Sequence, residues 1–90
     1  MRFEWDPEKA RGNLAKHGVA FDEAATAFGD TLSLTRCDPD HSEDEDRYLL
    51  LGASHAGRMV VVSHTHRGDS VRLISARIAS RRERRKYAGG

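Results

Sequence analysis

Residues 70 to 87, SVRLISARIASRRERRKY, begin as an apolar alternation and end as a run of cations. Arg72 and Arg77 lie in the first part, while Arg81, Arg82, Arg84, Arg85 and Lys86 crowd the last turns with only Glu83 against them. A guanidinium is permanently charged and presents its donors in a planar fork, so it grips a phosphate through two parallel hydrogen bonds. Such a density of cations suits a nucleic acid better than a neutral substrate. Docking on an acidic protein, or a helix charged for solubility, are the alternatives. In an extended chain Arg72 shares a side with Ile74 and Ala76, and Val71, Leu73 and Ser75 take the other. Arg77 has the opposite parity to Arg72, so both face one ligand only if the strand ends or bulges near Ala76.

His64 and His66 are two apart in the preceding apolar run and so point the same way, beside the strand that carries Arg72. An imidazole with an ordinary pKa of about 6.5 exchanges a proton at neutral pH, which makes His64 a candidate acid or base among arginines. His-x-His is also a pair of metal ligands, and both residues could simply be exposed strand positions. A metal site needs further ligands, and His41, His55, Cys37 or the acidic stretch offer none at a recognised spacing. The stretch DPDHSEDED, Asp38 to Asp46, places Asp38, Asp40 and Ser42 at the first calcium-loop positions, but Glu43 stands where the turn glycine belongs and Leu49 where the bidentate Glu belongs. The calcium match fails, and the segment reads as a solvated loop. No cofactor is expected. Lys16 and His17 end a helix, where cations meet the helix dipole, and they are also candidates for contacting RNA. Cys37 has no base at a telling distance.

These residues need elements to hold them. Met1 to Glu4 reads as a short strand. A helix follows with Asp6 as cap, Pro7 at its first position and Trp5 stapled onto Ala10, ending at His17 with Gly18 in the left-handed turn. Phe21, Ala24, Ala25 and Phe28 form one apolar helical face, which Gly29 stops. From Thr31 the period becomes two, with Leu32 and Leu34 in a half-buried strand. RYLLLGAS and RMVVVSHTH are strands joined near Ala56-Gly57, VRLISA is reached through Arg67-Gly68-Asp69, and Ser80 with Glu83 opens a final helix in capping-box spacing. The order is β-α-α-β-β-β-β-α, an α+β fold in which two helices cover one side of an antiparallel meander. The other side is left for a ligand.

The 90 residues make one small domain, residues 1 to 90, with 38% hydrophobic and 32% charged residues, a globular balance that excludes wholesale disorder. The net charge of +1 hides a division. Residues 1 to 46 hold 5 Lys/Arg against 12 Asp/Glu, a net −7; residues 47 to 90 hold 10 against 2, a net +8. That asymmetry points to a polyanionic or charged protein partner, or to an acidic half folded on a basic half. One cysteine and no long apolar run imply a reducing cytoplasm and no membrane attachment.

Taken together, FEWDPEK...N..KHGVAFDEA and LG.S..GRMVVVSHT.RGD.VRLISAR.AS..ER..Y resemble the BrnT family of bacterial type II toxins over about residues 3 to 87. The resemblance implies a RelE-like fold, with two N-terminal helices on a sheet of four or slightly more antiparallel strands and a short basic C-terminal helix. It implies a ribonuclease that arrests translation, neutralised by a BrnA-type ribbon-helix-helix antitoxin through which alone the toxin meets operator DNA. Family positions carry over to Trp5, Asp6, Lys9, Asn13, Lys16, His17, Gly18, His64, Thr65, Arg67, Arg72, Ser75, Arg77, Glu83, Arg84 and Tyr87. The chain departs from the family at His66, where Glu is common. The expected site has Arg72 and Arg77 on the transition-state phosphate and His64 as acid or base, with Arg67, Lys16, His17, Arg81, Arg84 and Arg85 on the RNA. A non-catalytic nucleic-acid- or protein-binding module is the alternative, and a metal-dependent hydrolase using His64 and His66 is another.

Overall fold

The structure, a computed structural model, describes residues 1–38, 40 and 45–89. Its elements run β1 (Arg2–Glu4), α1 (Pro7–His17), α2 (Phe21–Thr26), β2 (Leu34–Cys37), β3 (Tyr48–Ala53), β4 (Met59–Arg67), β5 (Ser70–Ile78) and α3 (Arg81–Tyr87). The order read from the sequence holds. No helix is long and apolar enough to cross a membrane among the described residues. The acidic stretch read as a solvated loop lies partly outside those residues, at 39 and 41–44.

The helical hairpin forms where its signals stand. Asp6 accepts the Glu8 N–H at 2.9 Å, Pro7 opens α1, and Gly18 at φ 70° turns the chain out while its N–H bonds to Leu14. A positive φ of this kind costs glycine nothing and a Cβ-bearing residue roughly 1 kcal/mol or more. A 3-10 turn at Ala27–Gly29 prolongs α2 and sets Phe28 against Phe3, with ring centroids 5.1 Å apart. Arg58 clamps this hairpin to the β3–β4 turn: its Nε donates to Glu23 Oε2 at 2.9 Å and its Nη2 to the Gly18 carbonyl at 2.9 Å.

The sheet differs from the expected antiparallel one. Its order is β1-β5-β4-β3-β2, and β1 pairs parallel with β5 (Arg2 with Ser70, Glu4 with Arg72), so five strands form a mixed sheet. A parallel pair needs a long connection in place of a hairpin turn, and the α1 to β4 stretch between β1 and β5 supplies it. β1 stops at Glu4, and beyond it the Asn13 side chain takes over the free edge of β5. Its Nδ2 donates to the carbonyls of Ala76 and Val19, and its Oδ1 accepts the Ala76 N–H, at 2.9, 2.9 and 3.0 Å. The strand expected from Leu32 begins two residues later. Asp30 accepts the N–H groups of Leu32 and Ala53, so the chain turns through residues 31–32 before extending. β2 is the outer strand and is exposed along its length, not half-buried.

The two faces of the sheet carry different loads. Val60, Val62, Val71, Leu73 and Ala76 meet Val19, Phe21, Ala24 and Ala27 beneath α1 and α2, forming the main core. Burying each large side chain there contributes roughly 1.5–3 kcal/mol. Leu51, Val61 and Ala79 form a smaller cluster on the opposite face, with Leu49, Met59 and Tyr87 against it. That face, expected to be left to a ligand, is therefore partly covered by α3.

Candidate nucleic-acid interface

A bulge decides which residues share the open face. Along β4 and β5 the partners run Val61–Arg77, Val62–Ala76 and Ser63–Ser75, then jump to His64–Leu73 and Thr65–Arg72. Ile74 is the unmatched residue. One extra residue inverts the alternation beyond it, so Leu73 and Ala76 both enter the main core while Arg72, Ser75 and Arg77 share the other face with Val61, Ser63 and Thr65. The condition set by parity is met, two residues earlier than Ala76. Arg72 and Arg77 thus flank a low saddle of two serines.

Arg72, Arg77 and Arg67 each lie against a carboxylate. Arg72 Nη1 donates to Glu4 Oε2 at 2.9 Å across the parallel β1–β5 pair. Arg77 grips Glu83 in a bidentate fork, Nη1 to Oε1 at 2.8 Å and Nη2 to Oε2 at 2.9 Å. That fork holds the Glu83 carboxyl down at about 2 and raises the Arg77 guanidinium. Arg67 Nε stands 3.7 Å from Glu45. The arginine side chains keep 28%, 43% and 52% of their surface for residues 72, 77 and 67, so donors remain for an anion. Thr65 is buried, its hydroxyl donating to the Asp46 carbonyl at 2.7 Å.

The histidines lie elsewhere. His64 continues the row Val60, Val62 into the helix-covered face, where it is 2% exposed, edge-on to Phe28 at 4.8 Å, with Nδ1 3.0 Å from the Val62 carbonyl. Burial pushes its pKa down. His66 follows on the same side, exposed, its ring 5.7 Å from His64 and 5.4 Å from Tyr48. The sheet therefore stands between His64 and the pair Arg72–Arg77: the bulge in β5 moves the arginines to one face and leaves the alternation of β4 intact. Lys16 and His17, at the end of α1, also belong to the helix-covered side. Among the described residues no three His, Cys, Asp or Glu are grouped to hold a metal.

α3 is fixed by both of its ends. Ser80 and Glu83 form the capping box, with the Ser80 N–H on Glu83 Oε1 at 2.8 Å, and the Tyr87 hydroxyl donates to Asp30 at 2.6 Å. Glu83 and Tyr87, four residues apart, thus look toward the sheet. Arg81, Arg84 and Arg85 are exposed. Between α3 and β2–β3 runs a groove of about 360 Å³ with Leu34, Leu49, Leu51 and Val61 along it and Arg36, Arg82, Glu83 and Lys86 beside it. Reasoning from sequence missed Glu4 and Arg36, and it counted Arg82 and Lys86 in the cation run without setting them apart from Arg81, Arg84 and Arg85. For Arg82 and Lys86, the i, i+4 spacing beside the Glu83–Tyr87 stripe was the available signal; for Glu4 and Arg36 there was none short of the strand pairing.

The sequence model for "Ribonuclease toxin, BrnT, of type II toxin-antitoxin system" matches residues 5–83. Among solved structures, the Brucella abortus ribonuclease toxin BrnT matches with a TM-score of 0.67 at 30% identity, over 90% of this chain and 99% of that one. No curated protein matches. With the family model spanning nearly the whole chain and a solved member sharing its fold, this protein belongs to the BrnT family of ribonuclease toxins of type II toxin–antitoxin systems.

Proposed function

We propose that the protein cleaves RNA without a metal, arrests translation by doing so, and is neutralised by a BrnA-type ribbon-helix-helix antitoxin that also carries it to operator DNA. The observation that carries the catalytic part is the bulge at Ile74, which turns Arg72 and Arg77 to one face with spare donors. Two helices on one side, and arginines with α3 on the other, support the RelE-like reading of the fold.

In this reading the two guanidiniums straddle the scissile phosphate above Ser63 and Ser75. The ribose 2′-OH attacks the adjacent phosphorus, the P–O5′ bond breaks with solvent water giving a proton to the leaving O5′, and the products are a 2′,3′-cyclic phosphate and a 5′-hydroxyl. The arginines neutralise the charge that builds on the phosphorane, a task for which fixed cations need no reorganisation. His64 is assigned to packing instead of proton transfer, because the sheet separates it from the arginines and its ring is buried against Phe28. The carboxylate of Glu4 takes its place as acceptor of the 2′-OH proton: one oxygen is held by Arg72, and the other has no partner among the described residues. Arg67 and the exposed Arg81, Arg84 and Arg85 position the strand, and their charge makes binding fall with salt. Lys16 and His17, on the other side, contact RNA only if the strand wraps the edge of the sheet.

The test is end-labelled RNA in EDTA, cut by the purified protein and by the Arg72→Ala and Arg77→Ala variants. Each substitution is expected to slow scission by on the order of 10²- to 10³-fold. Unchanged cleavage and toxicity in both variants would remove this face from the chemistry.

A further inference from the structure

The groove beside α3 differs from the arginine face in one respect. Arg67, Arg72 and Arg77 each meet a carboxylate, whereas Arg36, Arg82 and Lys86 have no ion-pair partner among the described residues. Three uncompensated cations therefore border an apolar floor. The floor is unusual for a surface: Leu34 is 46% exposed, and Leu49 and Leu51 extend it inward. A solvated helix flank needs no such floor, and a purely electrostatic phosphate track needs none either.

We propose that this groove holds one unpaired nucleotide of the RNA substrate, the base lying on Leu34, Leu49 and Leu51 and the flanking phosphates on Arg36, Arg82 and Lys86, and that it thereby selects where the chain is cut. The proposal rests on the ribonuclease reading above. Three observations support a nucleotide over an acidic segment of a partner protein. Glu83 lines the groove and is also the carboxylate gripped by Arg77, so the groove opens directly beside the phosphate-holding arginines. Its volume of about 360 Å³ lies at the lower end of small-ligand sites, roughly 300–1,000 Å³, which suits one flat group and not a helix. Its chemistry is an apolar floor with cations at the margin, so a base can bury a face on the leucines while its flanking phosphates meet the cations.

The experiment compares cleavage of a panel of RNA oligonucleotides that differ only in the nucleotide next to the cut. Leu34→Trp, at an exposed position, fills the groove; Arg82→Ala/Lys86→Ala strips its rim and leaves its floor. The filled variant is expected to lose at least about tenfold in kcat/KM on the best sequence and little on the worst, flattening the preference, because a misfilled pocket is worth about one factor of ten or more. The rim variant is expected to raise KM with the order of preference kept. Circular dichroism confirms that each variant is folded, and if one is not, the other decides. Cut sites and relative rates identical to wild type in the folded variants would overturn the proposal. So would unchanged cutting together with lost inhibition by an acidic partner protein, which would give the groove to that partner. Failure of the wild-type protein to cut any RNA would instead sink the ribonuclease reading on which the proposal stands.

Discussion

Asn13 gives the sharpest quantitative test of how the site is held. It is buried, and its amide makes three bonds, two that seal the edge of β5 at Ala76 where β1 has ended and one that ties that edge to the Val19 carbonyl. Asn13→Ala removes them and strands the Ala76 N–H, the Ala76 carbonyl and the Val19 carbonyl in a dry place. At about 1 kcal/mol for each group, the low end for a buried polar group left without a partner, the loss is about 3 kcal/mol. A domain of this size has about 5–13 kcal/mol in total, so the variant stays folded but melts about 12–24 °C lower. Urea unfolding followed by the fluorescence of Trp5, which packs edge-on to Phe21 at 5.9 Å, measures the difference directly. Hydrogen exchange at the Ala76 amide should accelerate more than at Val62 across the ladder. A loss below about 1 kcal/mol would refute the reasoning, since water would then be replacing the amide and the edge would not be closed. Cleavage lost at full stability would also refute it, by making Asn13 part of the reacting site.

Two further outcomes follow from the electrostatics and the packing. His64→Phe should retain RNA cleavage within a few-fold of wild type, measured on the same end-labelled substrate; a loss of 10²-fold or more would return His64 to the chemistry. Stability should also fall with acid in two windows. Burial lowers the His64 pKa, so its neutral form is favoured in the folded chain, and the stability this contributes is present above about pH 6.5 and lost as pH falls through the lowered value. Glu23 and Glu83 are held at about 2 by Arg58 and Arg77, so their contribution is present above about 4.5 and lost as pH falls toward 2. Denaturant titrations from pH 7.5 to 2.5 measure both, and a profile flat from pH 7 to 5, unchanged by His64→Phe, would contradict the first.

What could be read from the chain was whatever depends on near neighbours. The Asp6 cap, the Gly18 turn, the Phe21–Phe28 face and the Ser80–Glu83 box each involve residues within a few positions, and each forms as its spacing dictates. The parity argument for Arg72 and Arg77 stated the right condition, a bulge, but not its place, because nothing in SVRLISAR distinguishes Ile74 from its neighbours until Leu73 and Ala76 both have to enter one core. The expected alliance of His64 with the arginines failed for the same reason: adjacency of strands was legible, the face was not. Glu4 and Arg36 came within reach of their partners only through strand pairings 68 and 13 positions apart, to Arg72 and Leu49.

The parallel pairing of β1 with β5 also bears on when, during synthesis, the arginine face is completed. Residues 2–4 leave the ribosome 68 positions ahead of their partners, residues 70–72. Loop closure over so long a stretch is paid before any of its contacts are gained, which delays folding relative to the local hairpins. The helical hairpin and β3–β4 can form on the nascent chain, but Glu4 meets Arg72 only after β5 has been made. An interrupted chain ending before residue 70 would carry strands β2 to β4 without Arg72 or Arg77, so the arginine face is assembled only from a chain that has passed β5.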